Sequence, residues 1–115
     1  MHVENPNAPP PVKAMNVTEL RRRLDTGEAL RLFDVRGPDE RAMAYIAAAE
    51  PLHEVAEVEI EGLPTYTPLV FHCHTGVRSR AVAERFRLLG FQDVYNLEGG
   101  IEAWSIEVDP SVPRY

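Results

Sequence analysis

Residues 68–90 read PLVFHCHTGVRSRAVAERFRLLG. Pro68 to His72 is a short apolar, β-prone run with the pattern of a buried strand. From about Ser79 to Leu89 the sequence turns helical. Ala81, Val82, Phe86 and Leu89 fall on one side, and Glu84, Arg85 and Arg87 on the other. Gly90 is a natural stop for that helix. A strand passing through a tight loop into an amphipathic helix is the building unit of a parallel α/β sheet.

The same unit recurs on both sides. Leu30 to Val35 (LRLFDV) reads as a second strand, and Arg36, Gly37 and Pro38 punctuate the loop after it. Asp39 to Ala44 suits a short helix. Val94 to Leu97 is a third strand. Glu98, Gly99 and Gly100 turn from it into a last helix, with Trp104 as its core anchor. Upstream, Asn16 or Thr18 caps a helix that runs to about Asp25, with Val17, Leu20 and Leu24 on one face and Gly27 as its stop. Residues 53–64 (HEVAEVEIEGLP) are ambiguous: the alternation fits a strand, while the spacing of Val55, Val58 and Glu59 fits a helix ending near Gly62. The helix is the preferred reading. The expected fold class is α/β, a central parallel sheet flanked by helices, over residues 15–108. A proline-rich arm (residues 1–14, with Pro6, Pro9, Pro10 and Pro11) is expected to be extended and mobile, and residues 109–115 form a tail.

A chain of 115 residues suits one domain with its own core. The hydrophobic share of 44% and charged share of 26% exclude wholesale disorder. No apolar run approaches the ~18 residues needed to span a bilayer, and the N-terminus lacks the pattern of a secretory signal. A net charge of −6 argues against nucleic acid as a general partner. Arg21, Arg22 and Arg23 read as a solvated helix face. Lys13 is the sole lysine, yet four arginines fall between Arg78 and Arg87, so a local cationic site can sit on an acidic protein.

Cys73 is the only cysteine. A disulfide within the chain and a thiolate-rich zinc site are both excluded. The thiol lies at the carboxyl end of a predicted parallel strand, where ligands bind in such folds. The loop His74-Thr75-Gly76-Val77 leads into a helix, so several backbone N–H groups converge there and the helix N-terminus adds partial positive charge. Gly76 admits a backbone conformation that other residues resist. Arg78 can supply permanent charge, and Ser79 can cap the helix. Such a nest favours an anion, and an ionised Cys73 is one. An ordinary thiol is only about 3% ionised at neutral pH; lowering its pKa by about two units makes the thiolate dominant. The loop therefore predicts a nucleophilic or carrier thiol. His72 and His74 bracket Cys73 but share a face pointing away from it in an extended segment. No metal site and no cofactor are expected.

Taken in order, LFDVRGPDER (residues 32–41), LVFHCHTGVRSR (69–80) and GFQDVYNLEGGIEAW (90–104) resemble the rhodanese (sulfurtransferase) domain. The resemblance covers roughly residues 15–108. It implies that Cys73 takes a sulfane sulfur from a small anionic donor such as thiosulfate, becomes a persulfide, and passes the sulfur to cyanide, a small thiol or a protein cysteine. By the same resemblance His74 to Ser79 cradle the persulfide, Arg78 offers charge to the donor, and Asp34 and Arg36 brace the loop. Four residues separate Cys73 from Arg78. The related phosphatases and arsenate reductases have a loop one residue longer, so the compact loop favours sulfur over a larger oxyanion. A carrier that receives a persulfide from another protein without turnover is the alternative function. Ala44-Tyr45-Ile46 stands where many relatives have Gly-His-Ile, and Ala47-Ala48-Ala49 where they have Pro-Gly-Ala. That departure bears on this loop's conformation. The ending WSIEVDPSVPRY resembles that of rhodanese domains linked to monothiol glutaredoxins, which implies a glutaredoxin-type protein as a partner. The expected protein is a cytoplasmic sulfurtransferase with no nucleic-acid or membrane partner.

Overall fold

Among the described residues, five short strands and five helices alternate: β1 (Lys13–Met15), α1 (Val17–Asp25), β2 (Arg31–Asp34), α2 (Pro38–Met43), β3 (Glu50–Pro51), α3 (Glu54–Glu61), β4 (Leu69–His72), α4 (Val77–Leu88), β5 (Val94–Leu97) and α5 (Gly100–Glu107). The structure, a computed structural model, describes residues 8–115. The strands form one sheet in the order β1-β5-β4-β2-β3, and every pair is parallel. β4 is central. Phe33 lies opposite Phe71, Asp34 opposite His72, and Phe71 opposite Asn96.

All residues of β4 and β5 are buried, as expected where helices cover both faces of a parallel sheet. Alternate residues feed two cores. Leu32, Val70, Tyr95 and Leu97 join Leu20, Ile101 and Trp104 on one face. Phe33, Leu69, Phe71 and Val94 join Ile60, Ala83, Phe86 and Phe91 on the other. There Phe71 stacks between Phe33 and Phe86, with centroids 5.7 and 5.2 Å away. Complete burial of such a side chain stabilises by about 1.5–3 kcal/mol.

The helix over residues 54–61 is present, so the preferred reading of 53–64 stands; His53 caps it by accepting from the Ala56 N–H at 3.3 Å. Other expectations need correction. α4 begins at Val77, so Ser79 lies inside the helix and is not its cap; Gly76 occupies that position. Its buried stripe is Ser79, Ala83 and Phe86, while Ala81 and Leu89 are exposed. The reason is the loop. Gly76, at φ +104°, turns the strand straight into a helical turn, and this rotates the helix so that a serine faces the sheet.

Part of the expected arm lies on residues 1–7, outside the described residues. Its last two residues, Lys13 and Ala14, belong to β1 and pair with β5. The Arg87 guanidinium donates to the carbonyls of Pro9 and Pro10 at 3.1 and 2.9 Å. The tail also joins the fold: Val112 is buried and Tyr115 packs against the loop after β4. No helix among the described residues is long and apolar enough to cross a membrane.

Candidate active site

β4 delivers Cys73 to the carboxyl edge of the sheet, between β2 and β5. Two features turn the next residues into a ring of donors. The first is Gly76. A side chain there would meet the Leu97 carbonyl at 3.3 Å, and its positive φ aims its own N–H at Cys73 Sγ, 3.1 Å away. The second is the N-terminus of α5. The Ile101 N–H donates to the Cys73 carbonyl at 3.0 Å, and the Glu102 N–H to the His74 carbonyl at 3.1 Å. These bonds draw the loop carbonyls away from the sulfur and leave N–H groups facing it. Gly100 allows the approach, since a Cβ there would lie 2.5 Å from both carbonyl oxygens.

Within the first turn of α4, the Ser79 N–H reaches Sγ at 3.4 Å and its hydroxyl at 3.3 Å. Cys73 is 1% exposed. Burial alone pushes its pKa up. The Ser79 hydroxyl and the N–H groups of Ser79, Gly76 and Arg78 push it down, and they prevail: the thiol titrates below its ordinary value.

Asn96, a residue the sequence reading passed over, ties this ring to the sheet. Its Nδ2 donates to the Gly76 carbonyl at 2.9 Å, and its Oδ1 accepts from the Ser79 hydroxyl at 2.5 Å. The available signal was a lone amide inside the apolar strand VYNL. His74 is partly exposed and stacks on the Tyr115 ring at 4.1 Å. Thr75 and Val77 turn their side chains to solvent, so their contribution to the loop is backbone.

Asp34 and Arg36 sit beside the loop with both side chains fully buried. Arg36 donates to the two Asp34 carboxylate oxygens at 2.9 and 2.8 Å, to the Ala44 carbonyl at 2.7 Å and to the Tyr115 hydroxyl at 2.9 Å. Arg41 adds bonds to Asp34 and to the Ala49 carbonyl. These two arginines fix the 44–49 loop through its carbonyls. Burial works against the Asp34 charge, but the Arg36 guanidinium and backbone N–H outweigh it and hold the carboxyl below the usual range.

His72 was expected to share a face with His74 beside the pocket. It is instead completely buried, 3.9 Å from Asp34, with Nδ1 3.2 Å from the Cys73 carbonyl. Burial pushes its pKa down to about 4, against the opposing pull of Asp34. An unfolded histidine titrates near pH 6.5. Between these values the unfolded chain binds the extra proton, so stability falls as pH falls. The expected slope is up to about 1.4 kcal/mol per pH unit. Urea unfolding from pH 7 to pH 4 should show it, and His72→Gln should flatten it; an unchanged slope would refute the assignment.

The Arg78 guanidinium does not reach the sulfur. It is half exposed and forms a two-pronged pair with Glu40, at 2.5 and 2.9 Å. Its backbone N–H serves the thiol, while its side chain serves Glu40. Among the described residues no group of three His, Cys, Asp or Glu side chains is arranged to hold a metal ion.

Known proteins carry the same arrangement of elements. A crystal structure of a rhodanese-like domain protein from Staphylococcus aureus superposes with a TM-score of 0.72 at 28% identity, covering 90% of this chain and 99% of that one. The "Probable adenylyltransferase/sulfurtransferase MoeZ" of Mycobacterium tuberculosis is 37% identical over 100 residues, which is 84% of this chain and 26% of that protein. The chain thus spans about a quarter of that relative. The thiosulfate sulfurtransferase GlpE of Pseudomonas aeruginosa is 36% identical over 76 residues, covering 64% of this chain and 68% of that protein. The family profile described as "Rhodanese-like domain" matches residues 16–107, and the chain belongs to that family.

Proposed function

We propose that the protein is a sulfurtransferase that carries a sulfane sulfur on Cys73. The observation that carries this reading is the convergence of the Gly76 N–H, the Ser79 N–H and the Ser79 hydroxyl on a single buried sulfur. These donors stabilise a thiolate before the reaction and a terminal persulfide anion after it. With thiosulfate as donor, the Cys73 thiolate attacks the outer sulfur. A new S–S bond forms, the S–S bond of thiosulfate breaks, and sulfite leaves with the electron pair. With cyanide as acceptor, the carbon attacks the outer persulfide sulfur, thiocyanate leaves, and the thiolate returns. A small thiol or a protein cysteine replaces cyanide by the same displacement.

Ser79 has one hydroxyl proton and two acceptors in reach, Sγ and Asn96 Oδ1. The proton rests on the Asn96 side while Cys73 is protonated and turns to the sulfur as it ionises.

The near-complete burial of Cys73 favours a second reading, in which a partner protein opens the site and the domain acts as a persulfide carrier. A glutaredoxin-type or other protein cysteine is the acceptor in that reading, and the cytoplasm is its setting. Intact-mass measurement after thiosulfate or hydropersulfide treatment tests both. The expected result is a gain of one sulfur at Cys73, removed by cyanide with release of thiocyanate. Steady turnover supports the enzyme, and loading without turnover supports the carrier. No gain from any donor, or phosphate release from an aryl phosphate, would overturn the reading.

A further inference from the structure

We propose that Glu40 sets the charge class of the sulfur donor: by holding the Arg78 guanidinium beside the sulfur loop, it makes the site favour hydropersulfides of low charge over dianionic thiosulfate. This deepens the sulfur-transfer reading above and rests on it.

The two donors place different electrostatic demands on the site. A thiolate attacking thiosulfate brings three negative charges together, and a free cation must offset their repulsion. Attack on a neutral hydropersulfide has no such demand: Cys73–S⁻ and R–S–SH give Cys73–S–SH and RS⁻, one negative charge throughout. Arg78, the cation of the sulfur loop, has both prongs bound to Glu40.

Glu40 is held in that place from the other side. The Tyr115 hydroxyl donates to its Oε2 at 2.6 Å and accepts from buried Arg36 at 2.9 Å, and the Tyr115 ring lies on His74. The pair is therefore braced through Tyr115 to the buried centre. The Arg78 contact holds the Glu40 carboxyl down to about 2, so it remains charged across the working pH range. Seen by an approaching dianion, the Arg78 charge is largely cancelled.

The test compares single-turnover loading of Cys73, read by intact mass, with thiosulfate and with the hydropersulfide of an uncharged alkyl thiol. Glu40→Gln keeps the shape and removes the charge. It should raise the second-order rate with thiosulfate about five- to tenfold, the scale of one partly screened charge, and the hydropersulfide rate less than twofold. High salt should erase the gain, and Arg78→Gln in the Glu40→Gln background should abolish it. Tyr115→Phe, which frees Glu40 from its brace, should shift the same ratio two- to threefold. Equal changes with both donors, or no change with thiosulfate, would overturn the proposal while leaving sulfur transfer intact. If neither donor loads the unaltered protein or the variant, both this proposal and the sulfur-transfer reading fail.

Discussion

Cys73→Ser is expected to abolish sulfur transfer, with a loss of at least ~10³-fold, the scale on which removing a covalent nucleophile is felt. The substitution changes one atom. A serine hydroxyl stays protonated at any working pH, and its oxygen forms no persulfide. The fold should survive it. The donors that face Sγ, from Gly76 and Ser79, would face Oγ instead, so the buried hydroxyl finds partners. Circular dichroism and urea unfolding should therefore match the unaltered protein while loading of sulfur and turnover vanish. Residual transfer at the original rate would remove Cys73 from the mechanism altogether.

The largest stability effect is expected at Arg36. Arg36→Ala leaves the Asp34 carboxylate fully buried, with Arg41 as its remaining guanidinium partner. It also removes the donor to the Ala44 carbonyl and one of the two partners of the Tyr115 hydroxyl. Removing one member of a buried pair typically costs about 3–5 kcal/mol because the other charge is stranded. A domain of this size holds roughly 5–15 kcal/mol in all. Urea midpoints should fall accordingly, and Asp34→Asn in the Arg36→Ala background should recover part of the loss by removing the stranded charge. A loss under about 1 kcal/mol, or no recovery, would mean that this pair does not brace the site.

The sheet was readable because β2, β4 and β5 are short and mostly apolar at their centres (Leu32-Phe33, Leu69-Val70-Phe71, Val94-Tyr95), the mark of strands covered on both faces. Cys73 was readable because a strand end, Gly76 and a helix start stand next to each other in sequence. What failed to show has a common cause. β1 and β3 hold three and two residues, too few for any periodicity, and exist through pairing with distant strands. In α3, the spacing of Val55 and Val58 fits the helix, yet both are more than two-thirds exposed and Ile60 alone is fully buried. In α4, a reading by hydrophobicity chose Ala81 and Leu89. The helix is instead rotated to present Ser79 to a sulfur, a chemical demand with no hydropathy signal.

Long-range partners were equally silent. Arg78 was expected to face the donor, but Glu40, 38 residues away, takes its guanidinium. Tyr115 lies in the segment that reads as a tail, yet its hydroxyl meets Arg36 across 79 residues. Pairings of this kind follow from the folded surface, not from spacing along the chain.

Sulfur loading rests on one balance at Cys73, in which hydrogen-bond donors outweigh burial and lower the pKa of the thiol. That balance is tested most directly by the rate of Cys73 alkylation with iodoacetamide across pH. The expected midpoint lies clearly below the ordinary thiol value of about 8.5 and moves upward in Ser79→Ala as one donor is lost. A midpoint at or above that value, indifferent to Ser79→Ala, would contradict it.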